Sequence, residues 1–392
     1  NNLAVTLRDA KQFDEAIDCF RHALEIDPEC GEAYSSLGMT FQEQGDLAEA
    51  LVCYDEALRL GNVQPAGSPS AASVTTWPSQ YDLAAVHRNR AFANLLLGNY
   101  ASGLDEYEWR WHTEGASKRL PLAEWDGAPL EGRPILLSHE QGLGDMIQFI
   151  RYAPLVQQRG GTVVVGCPQS LMPLLKTCPG VDRLIYQHEL ASGIEVQAAL
   201  MSLPRIFRTE LDSIPAGIPY LFADQQLTEH WRGVLSPRGG LRVGIAWQGN
   251  PDYKGDRYRS IPLACFAPLA TVCGVRLISL QKGHGQEQLA AATFEIEDLG
   301  SQLDNEGHAF FDTAAVMQNL DLVITSDTAI AHLAGALGAR VWLALPRVPD
   351  WRWHMDRDDS PWYPTMRLFR QSRWGDWTDV FEAIRNELGR LR

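Results

Sequence analysis

The amino-acid sequence predicts an all-helical repeat array joined to an α/β region built on two parallel sheets. Three observations point there. Small and large apolar positions recur with a period of 34 near the start of the chain, as stacked helical pairs require. Beyond residue 112, short strand-like apolar runs alternate with helical ones, the pattern of parallel α/β structure. The stretch Ser236-Pro237-Arg238-Gly239-Gly240 then divides that region into two series. The 392 residues suffice for two or three domains of ~100–200 residues each. A content of 45% apolar and 21% charged residues is a globular balance that rules out wholesale disorder.

In the array, Leu3, Ala4, Leu7, Ala16, Phe20 and Ala23 recur 34 positions later as Leu37, Gly38, Phe41, Ala50, Tyr54 and Ala57. Small residues stand where two helices cross closely, and large ones where a pair packs on its neighbour. The spacing resembles the tetratricopeptide repeat, and Pro28 closes the first unit where that pattern expects it. Ala91, Leu95, Gly98, Gly103 and Tyr107 fit a third unit. Residues 62–79, rich in Pro, Ser, Gly and Ala, read as an exposed insertion, so the array is expected over residues 1–112. Three units is about the fewest that share a core, and the chain opens Asn1-Asn2 without Met or a signal-like segment. Both facts lead us to expect more chain upstream.

Residues 121–132 carry turn signals, and the α/β elements follow. Strands are expected at Pro134–Ser138 and Thr162–Gly166, with helices over Asp145–Gln158 and Pro168–Thr177. After the linker, strands are expected at Leu241–Trp247, Val275–Leu280, Leu320–Thr325 and Arg340–Leu345, with helices over Thr328–Gly338 and Trp377–Leu391. This divides the region into Rossmann-like domains at 121–235 and 236–392, which would leave a ligand-binding cleft between them.

Charge and cysteine usage limit the partners. The chain holds 49 acids against 34 bases, a net −15, and residues 1–112 with 17 acids and 7 bases carry −10 of it. Nucleic acid is a poor partner for that field, and a basic or neutral one is easier to hold. Seven scattered cysteines, with neither a CxxC pair nor a Cys/His cluster, read as buried small hydrophobes of a reducing, cytoplasmic compartment, with no metal site expected. The apolar stretch 320–346 is interrupted by Asp327, His332 and Arg340, so no membrane span is expected. Gly-x-Ser-x-Gly, Walker and His-Glu-x-x-His patterns are missing from the sequence.

Three stretches carry candidate chemistry. Glu140-Gln141-Gly142-Leu143-Gly144-Asp145 lies between a strand and a helix, and its glycines permit a tight turn and close approach. With Ile147 where a third glycine would stand, it is not a dinucleotide fingerprint. Asp145 reads either as a helix N-cap or as a general base projecting into the cleft. Ser326-Asp327-Thr328 ends a strand and opens a helix, with His332 one turn on from Thr328. That is either a capped core helix with a satisfied histidine or a pyrophosphate site. Trp247-Gln248-Gly249-Asn250 leads into Lys254, Arg257, Arg259 and Ser260, with Gln281-Lys282 after the next strand. These read as phosphate contacts or, since Asp252 and Asp256 offset the bases, as a solvated mixed-charge loop. Trp351, Trp353, Trp362, Tyr363, Trp374 and Trp377 crowd the end of the chain and read as packing, with sugar stacking as the alternative. Asp356-Arg357-Asp358 has the form of a metal-binding DxD but follows no strand.

Taken in order, Gln141-Gly142-Leu143-Gly144-Asp145 resembles the Gly-Asp segment of heptosyltransferase-like glycosyltransferases, family 9, and Asp327-Thr328-Ala329-Ile330-Ala331-His332 resembles their donor-binding turn. Bacterial proteins joining tetratricopeptide repeats to such a domain look similar across nearly the whole chain, including Tyr107 to Trp111, Met201 to Pro204 and Arg257 to Pro262. The resemblance implies a GT-B fold and an inverting, metal-independent transfer from a nucleotide-diphosphate sugar. The acceptor would be a hydroxyl of a protein, peptide or saccharide recruited by the repeats. It implies Asp145 as base, the Ser326–Thr328 helix start under the leaving group with Lys254, Arg257 or Arg259 assisting, and His332 on the donor's phosphate or sugar. By their own positions at strand ends Ser260, Gln281, Lys282 and Asp327 are also expected on the donor, and Gln141, Gly142, Gly144, Trp247 and Asn250 along the cleft. Ala329 stands where the family has glycine, and the Lys254 loop departs from the family lysine, which leaves the donor sugar open. Two other functions fit the same residues: an adaptor with a degenerate sugar-binding domain, and a GT-B-like epimerase.

Overall fold

The computed structural model describes residues 2–61, 82–113, 119–186, 192–236, 238–300, 302–305 and 307–391. The expected insertion at 62–79 lies outside the described residues. The chain forms two compact units, Asn1–Lys118 with Asp350–Met355, and Arg119–Pro349 with Asp356–Arg392.

The first unit is helical: α1 (Asn2–Asp9), α2 (Phe13–Ile26), α3 (Gly31–Gln44), α4 (Leu47–Gly61), α5 (Leu83–Leu96) and α6 (Tyr100–Tyr107). Its repeat positions explain themselves by contact. A Cβ on Gly38 would come within 2.8 Å of the Tyr54 ring, and one on Gly103 within 2.7 Å of the Leu95 side chain, so each pair crosses where only glycine fits. Ala16, Ala50, Ala57 and Ala91 are fully buried in the same core. The segment Asp350–Met355 completes this unit, which the expected boundary at 236–392 assigns elsewhere. Trp351 and Trp353 are buried there, and His354 Nε2 lies 3.1 Å from the Tyr100 hydroxyl. Those two tryptophans therefore pack against repeats.

The second unit holds two wholly parallel sheets. The first comprises β1 (Ala123–Glu124), β2 (Pro134–Ser138), β3 (Thr162–Cys167), β4 (Arg183–Tyr186) and β5 (Val196–Ala199), in the order β1-β5-β2-β3-β4. The second comprises β6 (Leu241–Ala246), β7 (Val275–Ser279), β8 (Glu297–Asp298), β9 (Leu322–Ser326), β10 (Val341–Leu345) and β11 (Met366–Arg370), in the order β11-β10-β9-β6-β7-β8. Two parallel, Rossmann-like sheets after a helical repeat array are the expected architecture. Central strands such as β9 and β10 are buried throughout, as sheets covered on both faces require.

Some elements differ from expectation. The helix expected over Asp145–Gln158 is three pieces: α7 (Leu143–Phe149), a 3-10 turn at Ile150–Tyr152, and a short helix Ala153–Gln157. Pro154 has no N–H to continue the ladder, so the chain restarts there. Pro173 does the same to the segment expected at Pro168–Thr177, which is a 3-10 turn at Gln169–Leu171 followed by Met172–Leu175. The cysteines are not uniformly buried: Cys53, Cys167 and Cys178 are, while Cys273 is exposed. Burial pushes the Cys53 and Cys178 thiols up to about 12 and that of Cys167 to about 11, which makes all three poor nucleophiles. Among the described residues no helix is long and apolar enough to cross a membrane.

Candidate functional site

Both sheets have a topological switch point, and the sequence motifs gather at them. In the first sheet, strand order reverses at β2, flanked by β5 and β3, and the loop after β2 carries His139 to Gly142 into α7. In the second, it reverses at β6 beside β9. The Trp247 loop leaves the carboxyl end of β6, Ser326-Asp327-Thr328 that of β9, and Gln281-Lys282 that of β7. Ligands of parallel sheets bind at such crevices.

The first turn touches the second directly. A Cβ on Gly144 would lie 2.9 Å from His332 Cδ2 and 3.4 Å from Ala329 Cα, so α7 and the Ala329–Ala336 helix meet at their opening turns. Asp145 follows Gly144 in α7, one residue on from this contact. It is not the N-cap: Gly142 holds that position, and Asp145 at N3 reaches back so that Oδ2 accepts the Gly142 N–H at 3.0 Å. Asp145 is half-buried, as are Gly144 and Leu143, while Gln141 and Gly142 are exposed.

At the second turn the sequence left capping and anion binding open. Thr328 is the N-cap of Ala329–Ala336, yet its side chain makes no cap bond. The hydroxyls of Ser326 and Thr328 are buried and have no hydrogen-bond partner among the described residues. Buried hydroxyls normally find partners, so two together at an uncapped helix start mark a place for an acceptor-rich group. His332 and Asp327 are buried beside them, the former with Nδ1 3.0 Å from the Tyr363 hydroxyl.

The basic loop divides into parts that hold the fold and parts that face solvent. Asp256 is buried against the Gly249 backbone, where a side chain would collide with it. Its Oδ1 pairs with Arg259 Nε at 3.1 Å, its Oδ2 accepts from Ser260 Oγ at 2.6 Å, and Ser260 Oγ in turn accepts the Gly249 N–H. Arg259 and Ser260 thus brace the loop. Gln281 is a clasp: its Oε1 accepts the N–H groups of Trp247 and Gln248, and its Nε2 donates to the carbonyls of Gln248 and His284. Lys282 Nζ donates to the carbonyls of Leu303 and Asp304. Trp247 is fully buried, and Asn250 is exposed, where its Oδ1 accepts the Asp252 N–H. Lys254 and Arg257 remain outward and, with Gln248 and Tyr253, line an open pocket of about 610 Å³. The Asp356-Arg357-Asp358 stretch is exposed, and the Arg357 guanidinium pairs with Asp359 at 2.7 Å.

Behind the two turns lies a buried network absent from the sequence reading. Arg151 donates to the carbonyls of Gln148 (2.8 Å) and Trp362 (2.6 Å) and to the Tyr220 hydroxyl (2.8 Å), and its guanidinium faces the rings of Tyr220 and Tyr363. A charged residue inside the apolar run Phe149-Ile150-Arg151-Tyr152-Ala153 was the available signal. Trp362 and Tyr363 of the aromatic tail pack here, joining the two sheets' layers.

Residues 1–62 match the tetratricopeptide repeat family model. Across the chain, protein FlbA of Caulobacter vibrioides is 27% identical over 438 residues, covering 99% of this chain and 72% of that protein. Among solved structures, E. coli ADP-heptose LPS heptosyltransferase II aligns with a TM-score of 0.48 at 15% identity, over 66% of this chain and 98% of the other. A family 9 glycosyl transferase from Veillonella parvula aligns with a TM-score of 0.47 at 11% identity, over 63% of this chain and 88% of the other.

Proposed function

We propose that the chain is an inverting glycosyltransferase that moves a sugar from a nucleotide-diphosphate donor to an acceptor hydroxyl. The observation that carries this reading is the pair of buried, unpartnered hydroxyls of Ser326 and Thr328 at an uncapped helix start, next to the turn that bears a carboxylate. The donor's phosphates sit on those hydroxyls and on the first N–H groups of Ala329–Ala336, with His332 beside them. Lys254 and Arg257 supply positive charge from the β6 loop. As the bond from the anomeric carbon to the phosphate oxygen breaks, negative charge grows where these donors already point. Asp145 takes the proton of the acceptor hydroxyl as that oxygen attacks the anomeric carbon from the opposite face. Its bond to the Gly142 N–H favours the ionised form, so it accepts the proton late, when the attacking hydroxyl has become acidic. The reading assigns no step to a metal. The acidic repeats recruit the acceptor, with a neutral or basic protein or peptide suiting their charge.

The test is turnover across a panel of UDP, GDP, ADP, CMP and dTDP sugars, with and without candidate acceptors. Transfer by the parent chain and its loss in Asp145→Asn support the proposal. Tight binding of a nucleotide sugar with no turnover against any acceptor would favour the adaptor reading, and a changed sugar without acceptor would favour an epimerase.

A further inference from the structure

The network behind the site says how His332 is held. His332 Nδ1 and the Tyr363 hydroxyl are 3.0 Å apart, and either atom can be the donor. The neighbouring bonds choose between them. Tyr220 Oη accepts from Arg151 at 2.8 Å and donates its single hydrogen to the Ile147 carbonyl at 3.1 Å. Tyr363 Oη lies 3.5 Å from Tyr220 Oη and 3.0 Å from His332 Nδ1, and of these two contacts the shorter takes the hydrogen. Burial pushes the Tyr220 phenol up, so it keeps the hydrogen it gives to Ile147. On the other side of the ring, Cδ2, the carbon bonded to Nε2, faces Gly144.

We infer that Tyr363 is a positioning residue that fixes the tautomer of His332, holding Nδ1 as acceptor so that the ring proton sits on Nε2, at the edge that meets the Gly144 turn. The histidine then presents a hydrogen-bond donor, which is what a phosphate oxygen requires. The value of that donor to catalysis rests on the function proposed above, whereas the tautomer itself does not.

The experiment is long-range ¹H–¹⁵N spectroscopy of the full chain labelled on histidine, with His332 identified by the signals lost in His332→Gln. In the unsubstituted chain near neutral pH, His332 shows an unprotonated Nδ1 and a protonated Nε2. Tyr363→Phe keeps the ring that packs on Gly335 and under Arg151, and produces a mixture of tautomers. Tyr220→Phe, which leaves the Tyr363 hydroxyl on His332, does not. Inorganic pyrophosphate serves as the ligand probe, and its affinity falls about tenfold in Tyr363→Phe, the equivalent of one hydrogen bond. A protonated Nδ1 in the unsubstituted chain, an unchanged tautomer in Tyr363→Phe, or the same change in Tyr220→Phe would overturn the inference. If the tautomers behave as stated but pyrophosphate moves no His332 signal, the positioning role stands and the anion reading of the site fails.

Discussion

Gly144 ties the two candidate turns together because it has no side chain. Gly144→Ala puts a methyl 2.9 Å from His332 Cδ2 and 3.4 Å from the Ala329 backbone, and one of the two helices must give way. We expect a loss of about 1–3 kcal/mol in denaturant unfolding and a fall in transfer rate. An unchanged variant would mean that the contact is slack. Asp145→Asn keeps size and shape but cannot take a proton. Its expected signature is a kcat lower by about 10²–10⁴-fold, with nucleoside diphosphate affinity little altered in calorimetry. At this scale the sequence was partly legible. The Gly-Asp and Ser-Asp-Thr motifs stand at the ends of the strands expected to carry them. The fates of Arg259, Ser260, Gln281 and Lys282 were not readable, because nothing in their spacing reveals that Asp256 and three loops of backbone carbonyls hold them.

Elements end where their proton donors and acceptors are met elsewhere. The carboxyl ends of β6 and β7 are joined by the Gln281 amide, which serves two backbone N–H groups and two carbonyls. Gln281→Ala strips four partners from a buried strand end, and a loss of about 3 kcal/mol or more is expected from thermal or denaturant unfolding. At the opposite end of the sheet Asp321 accepts the backbone N–H of Arg242 at 2.8 Å and pairs with its guanidinium at 3.1 Å. Burial alone would raise this carboxyl, but the Arg242 bonds and charge, with Arg340, hold it below the usual range. A depressed folded value means that the stability it contributes is present above the ordinary carboxylate pKa of about 4 and is lost as pH falls through the folded one. Asp321→Asn should therefore lower stability at neutral pH and flatten the acid limb of a plot of unfolding midpoint against pH. Equal slopes in both chains would deny the linkage. Strands β2, β3, β6, β7, β9 and β10 were legible as mainly apolar runs of five or six residues. Edge strands β1, β4, β8 and β11 were not, since β1 and β8 are two residues long, β4 is four, and two of the five residues of β11 are Arg. In β5 the buried Gln197 hides the run, because its amide is spent on the Leu120 carbonyl at 2.8 Å.

The molecule as a whole is a helical unit and an α/β unit, and ligand linkage should distinguish them. A nucleoside diphosphate bound at the β6 and β9 switch point raises the unfolding temperature of the α/β unit and leaves the helical unit's transition in place. At 100 times its dissociation constant the gain is about 2.7 kcal/mol. The 34-residue period made the array legible from sequence, because equivalent small residues such as Ala16 and Ala50 are fully buried in successive units. Membership of Asp350–Met355 in that unit was not, since a six-residue segment between β10 and β11 carries no period. The proposed transfer requires the Ser326–Thr328 helix start to cradle the donor's phosphates beside Asp145. The most direct test is a crystal structure with a bound nucleoside diphosphate. Phosphate oxygens are expected within hydrogen-bonding distance of the Ser326 and Thr328 hydroxyls, with the Asp145 carboxylate bordering the same space. Phosphates held elsewhere, with both hydroxyls still buried and unpartnered, would contradict it.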